Sequence, residues 1–458
     1  SGARRIAKNH SERAHAAEKA RLAPMLHWPA MPVARLLYTL VLLAALPCVP
    51  LILLWQSRRN PGYRRHWGER LLGLSAGSSA SDAKQPLIWI HAVSVGATRA
   101  AQPLVEALLQ GDHPPRILLT HTTPTGRTTG EQLYGQRVER AYLPYDWPWA
   151  VAVFLRQRRP QLGLLMETEV WPNLSAACAA RGVPLCVVNG RLSARSQRGY
   201  ARLAYLSRPA FASLARVVAQ TEADAERFRS LGARDVRVAG NLKFDAAPEP
   251  ELVQRGVAWR ADWRRDWGRE RAVWLAASTR EGEDAAMLDA LASMPTDALL
   301  IWAPRHPHRV PEIAALLDRA GIRHQRRSQT IRLDAQTRVW IGDTLGELAA
   351  YIAAADAVFV GGSLVELGGQ NLLEPCAQGK PVLVGPHTFN FLQVTEDALD
   401  AGAALRVSNG TELGLQLGLL LAEPARRESM GAAAKAFWLQ RRGATAATLA
   451  ALGDLLQF

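Results

Sequence analysis

Short apolar runs recur along the chain, separated by stretches with helical spacing. They lie at Leu87–His91, Ile117–His121, Arg140–Pro144, Leu162–Met166, Pro184–Val188, Arg216–Ala219 and Val236–Val238. The pattern breaks at Ala246–Glu251, where AAPEPE reads as a hinge. It resumes at Val273–Ala276, Leu299–Trp302, Arg338–Ile341, Ala357–Val360, Pro381–Val384 and Ala404–Val407, and helical patterns fill the tail from Thr411. Strand and helix in alternation predict parallel sheets covered by helices on both faces. The expected fold class is therefore α/β, with two doubly wound, Rossmann-like domains and a cleft between them. Ligands in such sheets sit at the carboxyl ends of strands. No solenoid repeat or heptad run interrupts this reading.

One apolar stretch does not fit a sheet. Leu36–Trp55, LLYTLVLLAALPCVPLILLW, carries no charge and matches the ~20 residues that cross a bilayer core. Pro47 and Pro50 would kink a straight helix. The stretch reads as a membrane anchor, either a kinked span or a re-entrant interfacial helix. A buried helix of a soluble domain is the alternative. Arg35 precedes it and SRRNPGYRRHWGERLL follows, which places the main body on the cytoplasmic side against anionic headgroups. Pro47 directly before Cys48 makes a poor lipoprotein box. Residues 1–24, rich in Ala, Arg, Lys and Glu, are either a native extension or a tag remnant. Leu74–Gln85 reads as a linker. The expected division is an extension at 1–35, an anchor at 36–60, an acceptor domain at 61–245 and a nucleotide-sugar domain at 246–425. Helices at 426–458 should pack back towards the first domain.

Composition narrows the partners. Apolar residues make up 48% of the 458 and charged residues 21%, which excludes wholesale disorder. The net charge of +14 calls for an anionic partner: nucleic acid, an acidic membrane or a phosphorylated substrate. No recognised nucleic-acid module is present, and the basic residues border the apolar anchor, so a phosphorylated lipid is the more economical partner. Cys48, Cys178, Cys186 and Cys376 form no CxxC pair and no metal-ligand spacing, which favours a reducing compartment.

Candidate chemistry lies at the strand tips. In LIWIHAVSVGATRAAQPLVEALL a strand passes through Ser94, Val95 and Gly96 into a helix, yet Ala97 and Thr98 at the tip offer no strong acid or base. Glu167 and Glu169, two apart at a strand end, are expected on one face; they would do acid/base work or serve the dipole of the helix beginning near Trp171. Lys243 is an isolated cation in GNLKF. AVFVGG enters a glycine loop, and GGQN opens a helix whose free N–H groups suit one phosphate. Asn371 with Glu374, and Thr344 with Glu347, also fit capping boxes. His121, Thr122, Thr123 and Thr125 read as turn chemistry with substrate contact open. Arg191, Ser193 and Arg195 either bind acceptor phosphates or cap and solvate a helix. His306 and His308 lack the carboxylate-x-carboxylate partner of metal-dependent transferases, so no metal is expected.

Several longer motifs occur in order: HAVSVG, LPYDWP, METEVWPN, NGRLSARS, GNLKFD, APRHPHR, IGDTLGEL, FVGGSLVELGGQNLLEP and VGPHTFNF. From about Leu36 to the C-terminus, this set closely resembles the bacterial Kdo transferases. The resemblance implies a GT-B glycosyltransferase of lipopolysaccharide biosynthesis at the inner membrane. It would move Kdo (3-deoxy-D-manno-octulosonic acid) from CMP-Kdo to a lipid A precursor, with no cofactor. It also implies roles. A glutamate general base follows the family's SVG turn where this chain has Ala97, which suggests an inactivated Glu-to-Ala variant with little activity; a homologue that lost or moved its base is the other reading. Glu167 matches a glutamate supporting the transition state, and Lys243 a cationic stabiliser. Pro304 and Arg305, Leu345, Gly346 and Glu347, and Asn371, Leu372, Leu373 and Glu374 match CMP-contacting segments. Gln370 stands where the family often has His. Two alternatives stay open: another GT-B lipid transferase with a different nucleotide sugar, and a catalytically dead membrane-bound binding protein.

Overall fold

The computed structural model describes residues 33–58, 60–74, 85–111, 113–329 and 332–457. The expected extension up to residue 32 and the linker residues 75–84 lie outside them. The chain divides into one compact unit ending at Gly240, rejoined by the tail from Ala446, and a second unit from Asn241 to Thr445. The break thus falls just before GNLKFD's Asn241, ahead of the AAPEPE stretch, whose last residues open the long helix Pro250–Trp267.

The first unit holds a parallel sheet of β1 (Leu87–His91), β2 (Arg116–His121), β3 (Glu139–Tyr142), β4 (Leu162–Met166), β5 (Leu185–Gly190), β6 (Arg216–Ala219) and β7 (Val236–Val238). Their spatial order is β3-β2-β1-β4-β5-β6-β7. Every residue of β1, β4 and β5 is buried, as expected of parallel strands covered on both faces. Trp89 of β1 and Phe154 of the helix Pro148–Arg158 meet edge to face at 5.2 Å within that core. At the sheet's far end, buried Arg216 pairs with Asp235 at 2.6 Å and Asp454 at 2.5 Å, which fastens the tail to the first unit.

The second unit repeats the plan with β8 (Val273–Thr279), β9 (Leu299–Pro304), β10 (His324–Arg326), β11 (Val339–Ile341), β12 (Ala357–Val360), β13 (Val382–Val384) and β14 (Ala404–Arg406), in the order β10-β11-β9-β8-β12-β13-β14. The expected strands are all present, with shifted ends. β10 was not expected: His-Gln-Arg is a half-buried edge strand and carries no apolar run to reveal it.

The apolar stretch forms two helices, Val33–Ala44 and Cys48–Ser57, bent by 57° across the break before Cys48. Among the described residues no single helix is long and apolar enough to cross a membrane. One side of the first helix belongs to the first unit. Tyr38 donates to Asp146 Oδ2 at 3.0 Å, Thr39 Oγ1 lies 3.1 Å from Asn173 Nδ2, and Trp147 Nε1 donates to the Leu42 carbonyl at 3.3 Å. Leu36, Leu37, Leu40, Val41, Leu51, Ile52, Leu54 and Trp55 are exposed.

Candidate active site

In the first unit the candidate residues gather at the carboxyl ends of β1, β2, β4 and β5. Ser94 caps the helix Val95–Ala100, its hydroxyl accepting from Ala97 N–H at 3.5 Å. Gly96 at the tip is exposed, whereas Ala97 is 4% exposed. The loop after β2 packs on this turn. Thr123 caps the helix Pro124–Tyr134 through Gly126 N–H at 3.1 Å, so turn chemistry accounts for that threonine. A Cβ at Gly126 would lie 3.3 Å from the Ser94 carbonyl carbon and 3.0 Å from Thr123 Oγ1, so only glycine allows the approach without a shift.

Two buried imidazoles lie beneath. Thr120 Oγ1 accepts from Trp89 Nε1 at 2.7 Å and lies 2.9 Å from His91 Nδ1. His121 Nδ1 lies 3.0 Å from the Ala92 carbonyl and 3.3 Å from Thr98 Oγ1, joining both sides of the SVG turn. Burial lowers His91 to about 3 and His121 to about 4; both are neutral at pH 7.

Glu167 lies beyond β4, which ends at Met166, in the left-handed region at φ 66°. The expectation that it shares a strand face with Glu169 is therefore corrected: the two carboxylates sit in a turn, where strand alternation does not apply. Trp171 Nε1 donates to Glu169 at 2.9 Å, and burial pushes that carboxyl up from its ordinary value. Thr168 donates its hydroxyl to the Arg191 carbonyl, which brings the Glu167 turn beside the loop after β5. Asn189, the second-last residue of β5, lies in the same strained region at φ 52°. Such strain costs about 1–3 kcal/mol per residue and concentrates at functional sites. Ser193 caps the helix Ala194–Arg202 through Ser196 N–H at 3.1 Å, while Arg191 and Arg195 are exposed.

The second unit presents cations instead. Arg305, exposed after β9, donates its N–H to the Thr279 carbonyl at 2.9 Å. Burial lowers the His306 pKa, and the charges of Arg280 and Arg305 lower it further, while Glu281, paired with Arg280 at 3.1 Å, opposes them. His306 and His308 stack at 5.5 Å; among the described residues no group of three or more His, Cys, Asp or Glu could hold a metal. Lys243 belongs to this unit, in the short turn Leu242–Asp245 capped by Asn241, with Nζ 5.6 Å from the Phe391 ring centre.

Neither expected capping box forms in full. Glu347 itself stands at the start of the helix Leu348–Ala354, accepts from Thr344 Oγ1, and pairs with Arg255 at 3.0 Å and Arg327 at 3.1 Å. Leu345 projects into solvent, 76% exposed, beside Gly346 at φ 84°. Asn371 Oδ1 accepts from Leu373 N–H and Asn371 Nδ2 donates to Glu374, both at 3.1 Å. The helix begins only at Leu373. Pro304, Leu372 and Leu373 are buried.

Arg280 and Glu283 were missed by sequence reasoning. Their signal was the charged stretch REGED directly after β8, near whose end Ser278 also has a left-handed φ of 56°.

Residues 65–246 match the family model for 3-Deoxy-D-manno-octulosonic-acid transferase (kdotransferase). The 3-deoxy-D-manno-octulosonic acid transferase of Bordetella pertussis is 47% identical over 424 residues, covering 89% of this chain and 96% of that protein. The Haemophilus influenzae protein of the same name is 35% identical, covering 92% and 98%. In fold, a glycosyltransferase from Rickettsia africae covers 82% of this chain and 99% of its own, with a TM-score of 0.56 at 11% identity. With two Rossmann-like parallel-sheet units of GT-B kind and relatives of this identity along nearly its whole length, the chain belongs to the 3-deoxy-D-manno-octulosonic acid transferase family.

Proposed function

We propose that the second unit binds CMP-Kdo and the first receives a phosphorylated lipid A precursor, in an inverting transfer within lipopolysaccharide biosynthesis. The observation that carries the donor assignment is that Arg280 and Arg305 follow the carboxyl ends of the paired strands β8 and β9, joined there by the bond from Arg305 N–H to the Thr279 carbonyl at 2.9 Å. A phosphate and a sugar carboxylate both need such cations. Asn371–Glu374 and Leu345–Glu347 complete the nucleotide site.

In the reaction an acceptor hydroxyl oxygen bonds to the anomeric carbon of Kdo as that carbon's bond to the phosphate oxygen of CMP breaks. The hydroxyl proton must go to a base. A glutamate at position 97 would supply it from the first turn of a helix; the Ala97 methyl cannot. Glu167 supports the cationic transition state, and Lys243 meets the negative charge of the donor. Arg191, Ser193 and Arg195 form the acceptor's phosphate-facing loop.

The exposed apolar side of Val33–Ala44 and Cys48–Ser57 lies in the cytoplasmic face of the inner membrane. One side of the first helix is hydrogen-bonded to the first unit, which favours an interfacial anchor over a span. Arg64 and Arg65 then face anionic headgroups.

Kdo transfer by the chain and by Ala97→Glu tests this reading. The restored base should raise the rate by about 10²–10⁴; equal rates would remove the assignment of position 97. Titration with CMP and UDP tests the donor, and preference for UDP would overturn it.

A further inference from the structure

Glu283 is wholly buried, yet it serves no reacting group in the account above. Its Oε2 accepts from Arg280 N–H at 2.8 Å and Gly362 N–H at 2.7 Å. Its Oε1 accepts from Ser363 and Leu364 N–H, both at 3.1 Å. Successive backbone N–H groups turned towards one point form an anion nest. Here the anion is part of the chain.

The loop fixed by this carboxylate controls its neighbours. Gly369 N–H donates to the Gly362 carbonyl at 2.7 Å, and Gln370 N–H to the Gly361 carbonyl at 3.1 Å. Those bonds set the residues directly before Asn371. On the other side, Ser363 Oγ accepts from Gly385 N–H at 2.8 Å, and the Ser363 carbonyl accepts from His387 N–H at 2.9 Å. A Cβ at Gly385 would come within 2.2 Å of the Ser363 carbonyl oxygen, so this contact admits only glycine. Asn390 N–H then closes onto the Gly368 carbonyl at 3.0 Å.

We infer that Glu283 is the internal counter-anion of the donor loop: by filling the nest at Gly362–Leu364 it holds Asn371–Glu374 in the shape that receives the nucleotide. It is a positioning residue, and the inference rests on the reading that Asn371–Glu374 bind CMP. The nest is thereby closed to any phosphate of the donor, whose anion is left to Arg280 and Arg305.

The test is CMP titration of the full chain, of Glu283→Ala and of Glu283→Gln, each with sodium formate or with sodium chloride at equal ionic strength. Glu283→Ala should bind CMP about tenfold or more weakly, because bonds to a charged acceptor are lost. Formate should restore part of the affinity; chloride, too small to span both pairs of donors, should not. Glu283→Gln keeps the volume but turns an amide NH₂ towards two N–H groups, so it should bind weakly and ignore formate. Wild-type affinity in either variant, or an Ala variant indifferent to formate, would overturn the inference. If Glu283→Ala does not fold, the Gln variant decides. If the unaltered chain fails to bind CMP, the donor reading falls. Glu283 is then judged by whether formate, and not chloride, raises the melting temperature of Glu283→Ala.

Discussion

The two units share a parallel-sheet plan but secure their strand-tip loops by different chemistry. In the first, neutral groups secure the loops: Ser94, Thr123 and Ser193 cap helices, and two uncharged imidazoles fill the space beneath. Beside the Glu167 turn the carboxylates of Glu167 and Glu169 stand next to the loop that carries the exposed Arg191 and Arg195. In the second, a buried carboxylate accepts from the backbone donors of the glycine loop, and Arg305 stands exposed at the end of β9. The same sheet plan thus carries two differently secured sets of loops. The difference lies in a handful of loop residues, not in the sheets.

The largest expected effect separates chemistry from binding. In an Ala97→Glu background, Glu167→Gln should lower transfer by about a hundredfold while CMP affinity stays within a factor of about two, measured by calorimetry; a parallel loss of CMP binding would erase the contrast between the units. Next, Arg305→Ala should weaken CMP binding by about tenfold or more and leave the melting temperature unchanged, since the side chain is exposed. Smaller still, Tyr38→Phe should cost about 1 kcal/mol of stability with no change in CMP affinity, read by denaturant unfolding.

The response to acid is a change of slope, not of level. His91 and His121 have folded values of about 3 and about 4 against an ordinary 6.5. The unfolded chain takes up protons first as pH falls below 6.5, so this contribution to stability shrinks between about pH 6.5 and 4. Asp146, pushed up to about 7 by burial, works in the opposite sense: the folded chain keeps a proton that the unfolded chain releases, and that advantage disappears as pH rises through 7. Melting temperatures of His121→Asn across pH 4.5–6.5 should fall less steeply than those of the unaltered chain; an unchanged slope would show that the imidazole does not resist protonation.

Much of this was readable in the chain. Apolar runs placed the strands because a parallel strand buried on both sides has no polar position to spare, as in LIWIH and LGLLM. The edge strand His324–Arg326 escaped because it is only half buried and its side chains need not be apolar. Arg305 was readable as the residue after a strand, whereas the helix read as opening at Asn371 begins at Leu373. What the sequence could not display was which donors are consumed internally. Glu283 sits far along the chain from Gly362, and only the fold turns that carboxylate onto the glycine loop. The left-handed backbone of Glu167 was equally hidden, since a glutamate gives no sign of adopting a conformation it ordinarily avoids.

The tie between Tyr38, Thr39 and the Asp146–Asn173 pair bears on how the protein should be handled. Cutting the chain after Ala44 to gain solubility would strip the phenol from a carboxylate that also caps the helix Pro172–Ala180. The soluble fragment would then carry a loosened LPYDWP loop. A detergent that shields the greasy outer side while leaving this polar seam closed preserves the first unit better than deletion does.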